Sequence, residues 1–123
     1  LSAQAKLGHI GGDDFVIVSP AVIREEEVED LCRQFDSAKA DLFDPGDVER
    51  GFFRTSDRQG REVEVPLVTL SVAVVPCEAV QSPEHPGALA QRAASLKRKV
   101  KEMTAKSRRS EFLFDRRRLR PSP

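Results

Sequence analysis

Two glycines followed by two aspartates, Gly11-Gly12-Asp13-Asp14, interrupt an otherwise apolar stretch that runs from Leu7 to Val18. Glycine takes positive φ without steric cost and aspartate tolerates it better than most residues. A polar break of this kind between β-prone arms, Leu7–Ile10 and Phe15–Val18, therefore reads as a hairpin turn. It sets two carboxylates side by side at a strand end, with no side chain on Gly11 or Gly12 to bar a ligand. One reading is a hairpin turn with solvated acids. The other is a site for a divalent cation and a nucleotide phosphate, because Mg²⁺ is held by one or two carboxylates together with substrate phosphates.

After the hairpin, Ser19-Pro20 predicts a helix start, with Ser19 as N-cap and Pro20 in the first helical position. Glu25, Glu26 and Glu27 fall in its early turns, where the helix dipole favours negative charge. Val28, Leu31, Cys32 and Phe35 form one apolar stripe, and the helix is expected to end near Ser37 or Lys39. Asp41 to Val48 reads as a loop that turns at Asp44-Pro45-Gly46-Asp47. A second hairpin follows, with arms Gly51–Thr55 and Arg61–Val65, and Pro66 marks an edge or a bend. Leu67–Val75 is nearly continuous in apolar and β-branched residues, which predicts a strand buried on both faces near the centre of a sheet.

Pro76 to Gly87 reads as a loop in which Ser82 and Pro83 offer a helix start. Leu89, Ala93, Leu96, Val100 and Met103 define a second amphipathic helix. Arg92, Lys97, Arg98, Lys99, Lys101 and Lys106 lie on its other face, where the ordinary reading is solvation. Ser110–Phe114 is a short final strand, and residues 116–123 form a basic tail expected to lack order. Strands and helices alternate, which predicts a layered α+β sandwich, one domain over 1–115.

Composition narrows the function classes. The 123 residues are 39% hydrophobic and 33% charged, without Trp or Tyr, so seven Phe supply the aromatic packing. No apolar run approaches the roughly 20 residues that cross a bilayer. No signal-peptide pattern opens the chain, and Leu1 reads as compatible with a cut end. Cys32 and Cys77 lack metal-ligand or redox spacing, which points to a reducing, cytoplasmic setting. Formal net charge is zero, but residues 1–64 carry 8 basic and 15 acidic side chains, and residues 65–123 carry 12 and 5. The basic half could meet an anion or another copy of the chain. No aromatics interleave its basic residues, which weighs against nucleic-acid binding.

The run Gly11-Gly12-Asp13-Asp14-Phe15 between apolar strands resembles the signature of the GGDEF domain family, the diguanylate cyclases. Asp14 stands where active members of that family carry Glu. The segment Pro66–Ala73 is similar to the family's buried strand. Ala93–Lys101 resembles its AD-x-ALY-x-AK helix, with Ala94 in place of Asp and Arg98 in place of Tyr. Phe112–Arg117 resembles a variant subset in which a strand is followed by Asp-Arg-Arg. The resemblance implies a central, mostly antiparallel sheet flanked by helices. That is a nucleotidyl-cyclase-like, ferredoxin-like core, here lacking its N-terminal elements.

In that family, two GTP molecules on two facing domains condense to cyclic di-GMP and two pyrophosphates with the help of divalent metals. By resemblance, Asp13 ligates Mg²⁺ or Mn²⁺ and Asp14 takes the second acidic position of the catalytic pair. Gly11 and Gly12 admit the phosphates, Lys101 contacts the terminal phosphates, and Lys106 offers a second basic contact. The implied partners are GTP, a second GGDEF-like domain, and sensory or regulatory domains fused in a longer chain.

Three departures qualify the resemblance. The family's N-terminal strand, with another metal-binding Asp, and its guanine-reading helix residues have no counterpart here. Asp14 is one methylene shorter than Glu, and a displacement of about an ångström can cost on the order of 100-fold in rate. The Arg-x-x-Asp of the family's product-inhibition site is replaced by Ser2-Ala3-Gln4-Ala5. Asp14, the missing Arg-x-x-Asp and the altered Ala93–Lys101 helix favour an alternative class, a non-catalytic GTP-sensing or protein-interaction module. A sheet short of one strand also exposes an edge, which predicts dimerisation or strand exchange.

Overall fold

The computed structural model describes residues 1–76 and 86–116. Its elements are β1 (Lys6–Gly11), β2 (Asp14–Val18), α1 (Glu25–Ala40), α2 (Pro45–Arg50), β3 (Phe52–Ser56), β4 (Glu62–Pro66), β5 (Ser71–Val74), α3 (Pro86–Ser107) and β6 (Glu111–Phe114). The fold is α+β, as the alternation of patterns predicts. Cys77, Ser82, Pro83 and the tail from Arg117 lie outside the described residues.

The strands differ from one central sheet. Among the described residues they form three two-stranded sheets: antiparallel β1–β2, antiparallel β3–β4, and parallel β5–β6. The parallel pair follows from α3. Parallel neighbours need a long crossover, and a 22-residue helix spans about 33 Å, enough to return the chain to the start of β5. Ser71 then faces Glu111, and Val74 faces Phe114.

α3 lies against β5 and β6, and α1 packs on β6. Val100 of α3 is completely buried, and Leu96 of α3, Val28 and Cys32 of α1, and Leu67 are the other buried apolar side chains among the described residues. The predicted stripe of α1 thus divides: Val28 and Cys32 are inside, while Leu31 is 39% exposed.

Three boundaries move from where the sequence pattern sets them. Ser19 does not cap α1. Its hydroxyl bonds the amide and carbonyl of Ala21 in a local turn, at 3.3 and 2.9 Å. The helix begins at Glu25, so that all three glutamates occupy its first turn, and the Glu27 carboxylate accepts the Arg24 amide at 3.1 Å. The Asp44-Pro45 turn becomes the start of α2, with Pro45 in its first turn, and Gly51 at φ 82° ends that helix. Pro66 is the last residue of its ladder, opposite Phe52.

The third shift is the largest. Leu67–Leu70 is not strand, because its backbone is satisfied by other groups. The Leu67 amide reaches the Gly51 carbonyl at 3.1 Å. Lys39 Nζ donates to the Val68 carbonyl at 2.9 Å, and the Leu70 amide donates to Ser110 Oγ at 2.9 Å. Asp36 closes the network: it accepts the Ser110 amide at 2.9 Å and hydroxyl at 2.6 Å, and lies 3.1 Å from Lys39.

Candidate functional site

The turn between β1 and β2 has the predicted conformation. Gly11 and Gly12 have φ of 149° and 57°, in the region that favours glycine, and the ladder shifts register between His9 and Gly11. A β-carbon built on either glycine would meet no atom within 4 Å. The glycines are therefore required by backbone angle, and the lip of the turn is open. Strand pairing sets His9 opposite Phe15, and the two rings stack with centroids 4.7 Å apart. His9 Nε2 lies 2.8 Å from the Gly12 carbonyl, which it can reach only as an N–H donor. His9 thus braces the turn from within, a role that its position two residues before the glycines did not announce.

The two aspartates have different surroundings. Asp13 is exposed at the tip. Asp14 forms an ion pair with Lys97 of α3, which ties the hairpin to the helix across 83 positions of sequence. The hydrogen bond from Lys97 holds the Asp14 carboxyl below its usual value of 3.8. The Coulomb attraction of Lys97 adds to this, partial desolvation opposes it, and Lys101 contributes from one turn further along α3. The predicted site residues Gly11, Gly12, Asp13, Asp14 and Lys101 are thereby brought into one region. Lys106 lies in the last turn of α3, about 13 Å along the axis beyond Lys97.

Two cations of α3 belong to the inner side and not to the solvated face. Lys97 meets Asp14, and Arg92, with a side chain only 16% exposed, lies 3.9 Å from the buried Asp115. A single-helix projection ranks Lys97 with its basic neighbours, since the hairpin that it meets is distant in sequence.

As a place for Mg²⁺ or Mn²⁺, the turn supplies Asp13 and Asp14. Among the described residues, no three His, Cys, Asp or Glu side chains are grouped to hold a metal ion. The donor set fits a cation that takes its remaining ligands from phosphate oxygens and water, as Mg²⁺ commonly does, and does not fit a standing all-protein metal centre. Among the described residues, no helix is long and apolar enough to cross a membrane. No protein-family model matches the chain, and no curated protein or solved structure matches it either.

Proposed function

We propose that the chain is part of a GGDEF-like domain of cyclic di-GMP signalling that receives the triphosphate of GTP at the Gly11–Asp14 turn. One observation carries the reading: an open turn at positive φ that offers two carboxylates next to the Lys97 and Lys101 face of α3. Asp13 would hold Mg²⁺ or Mn²⁺, which supplies charge neutralisation at the phosphates. Lys101, with Lys97 beside it, would face the phosphate oxygens, with Lys106 further along the helix. In a complete pair of domains, the reaction joins two GTP into cyclic di-GMP with loss of two pyrophosphates.

A second reading, a non-catalytic GTP-sensing module, is favoured by the Lys97–Asp14 pair. A carboxylate already engaged by an ammonium group is a poorer metal ligand than a free one. Binding of a fluorescent GTP analogue with and without Mn²⁺ tests the site itself. Metal-dependent binding that falls at least about tenfold in Asp13→Ala is expected, since a charge-assisted metal contact is lost. Binding that is unchanged by Asp13→Ala removes the nucleotide reading. Incubation of a longer chain containing this domain with GTP and Mn²⁺ then separates the two readings. Cyclic di-GMP that disappears in Asp13→Ala identifies the cyclase, and metal-dependent binding without product identifies the sensor.

A further inference from the structure

The two carboxylates of the turn differ in what they have left to offer a ligand. Asp14 begins β2 and lies opposite Gly11 in the ladder, so its cross-strand neighbour carries no side chain. Its carboxylate meets α3 instead, where the Lys97 ammonium donates to Oδ1. An ammonium has three donors and no acceptor, and this contact uses one donor. Lys101 follows four positions later on the same side of α3. Asp13 stands exposed at the tip, and among the described residues no hydrogen bond or ion pair holds its carboxylate.

We propose that Lys97 is a positioning residue of the turn: it withholds the Asp14 carboxylate from a divalent ion and leaves Asp13 as the carboxylate that takes it. The inference rests on the reading of the turn as a cation and phosphate site, and adds which acid holds the ion and what keeps the other from it. Two free carboxylates at one place would hold Mg²⁺ or Mn²⁺ without help. One exposed carboxylate holds it poorly, because most of the ion's ligands are then water. The ammonium also sets a positive charge beside the incoming ion, which weakens binding of the bare ion further. A phosphate reverses both effects. It brings oxygen ligands to the ion and accepts the donors that Lys97 has left. Ion and phosphate thus favour each other's binding, and the coupling is reciprocal.

Titration of the whole chain with Mn²⁺ alone tests this, read by paramagnetic broadening of the Gly12, Asp13 and Asp14 amide signals. Lys97→Met is expected to tighten Mn²⁺ at the turn at least about threefold, since it frees Asp14 and removes a nearby cation. Lys97→Arg keeps the pair and should bind Mn²⁺ as the wild type does. Lys97→Met combined with Asp14→Asn replaces one neutral pair by another and should return to within about twofold of the wild type. No tightening in Lys97→Met, tightening that survives in the double variant, or a Lys97→Arg chain that behaves like Lys97→Met would each overturn the proposal. Asp13→Ala separates the two levels of the argument. If it leaves the broadening unchanged, the ion does not sit at Asp13 and both the site and the proposal fall. If it removes the broadening while Lys97→Met gains nothing, the proposal alone falls. Should circular dichroism show that Lys97→Met does not fold, Lys97→Gln takes its place under the same criteria.

Discussion

Asp14 shows how one side chain can be assigned by its partner and not by its type. Lys97 lowers its carboxyl, first by a hydrogen bond and then by charge. A depressed carboxyl contributes stability above the unfolded value and loses that contribution as pH falls through the folded value, so this pair is intact at neutral pH and opens only below 3.8. Lys97→Met is expected to return the Asp14 titration toward 3.8, read by NMR of its side-chain carbonyl. Global stability should not change measurably, because the side chains are 34% and 46% exposed and the pair is screened by solvent. A titration that does not move would mean that Lys97 leaves Asp14 alone in solution.

At the scale of elements, α3 is the organiser. Its inner stripe, Leu96 and Val100 with Ala93 and Met103 at the margins, is the surface on which β5 and β6 come to lie parallel. Val100 has no exposed area, so Val100→Ala removes two methyl groups from a site with no solvent to fill it. The expected loss is about 2 kcal/mol in urea denaturation, made up of transfer and cavity contributions. Leu31→Ala, on the partly exposed flank of α1, should cost much less, and equal losses at the two sites would contradict this placement of the core.

Across the whole molecule, the polar cluster of Asp36, Lys39 and Ser110 joins α1 to the segment before β5 and to the entry of β6. Burial pushes the Asp36 carboxyl up, but the Ser110 hydroxyl and amide and the Lys39 ammonium outweigh it and hold it below 3.8. The stabilisation is therefore complete at neutral pH and lost as acid carries the chain through the folded value. Asp36→Ala leaves Ser110 and Lys39 without their acceptor and should cost about 2–3 kcal/mol. Denaturation at neutral and at acid pH checks both points: the variant should be weaker at pH 7 and should lose less stability than wild type on acidification.

Local chemistry settled the elements by itself. The Gly11-Gly12 turn, the apolar stripes of α1 and α3, and the two antiparallel hairpins follow from φ preferences and from periods of 3.6 and 2, which neighbours along the chain enforce. Ser19, Leu67–Leu70 and Lys97 were decided elsewhere. Ser19 spends its hydroxyl on Ala21, Leu67–Leu70 takes its hydrogen bonds from Gly51, Lys39 and Ser110, and Lys97 leaves the solvated face for Asp14. Each depends on a competing partner, and for the last two that partner lies between 16 and 83 positions away in sequence. Short-range pattern carries no information about which distant group will arrive. Packing α3 over β5 and β6 brought those groups within bonding distance, and it left the ribbon of β1 and β2 outside that core with its apolar faces uncovered.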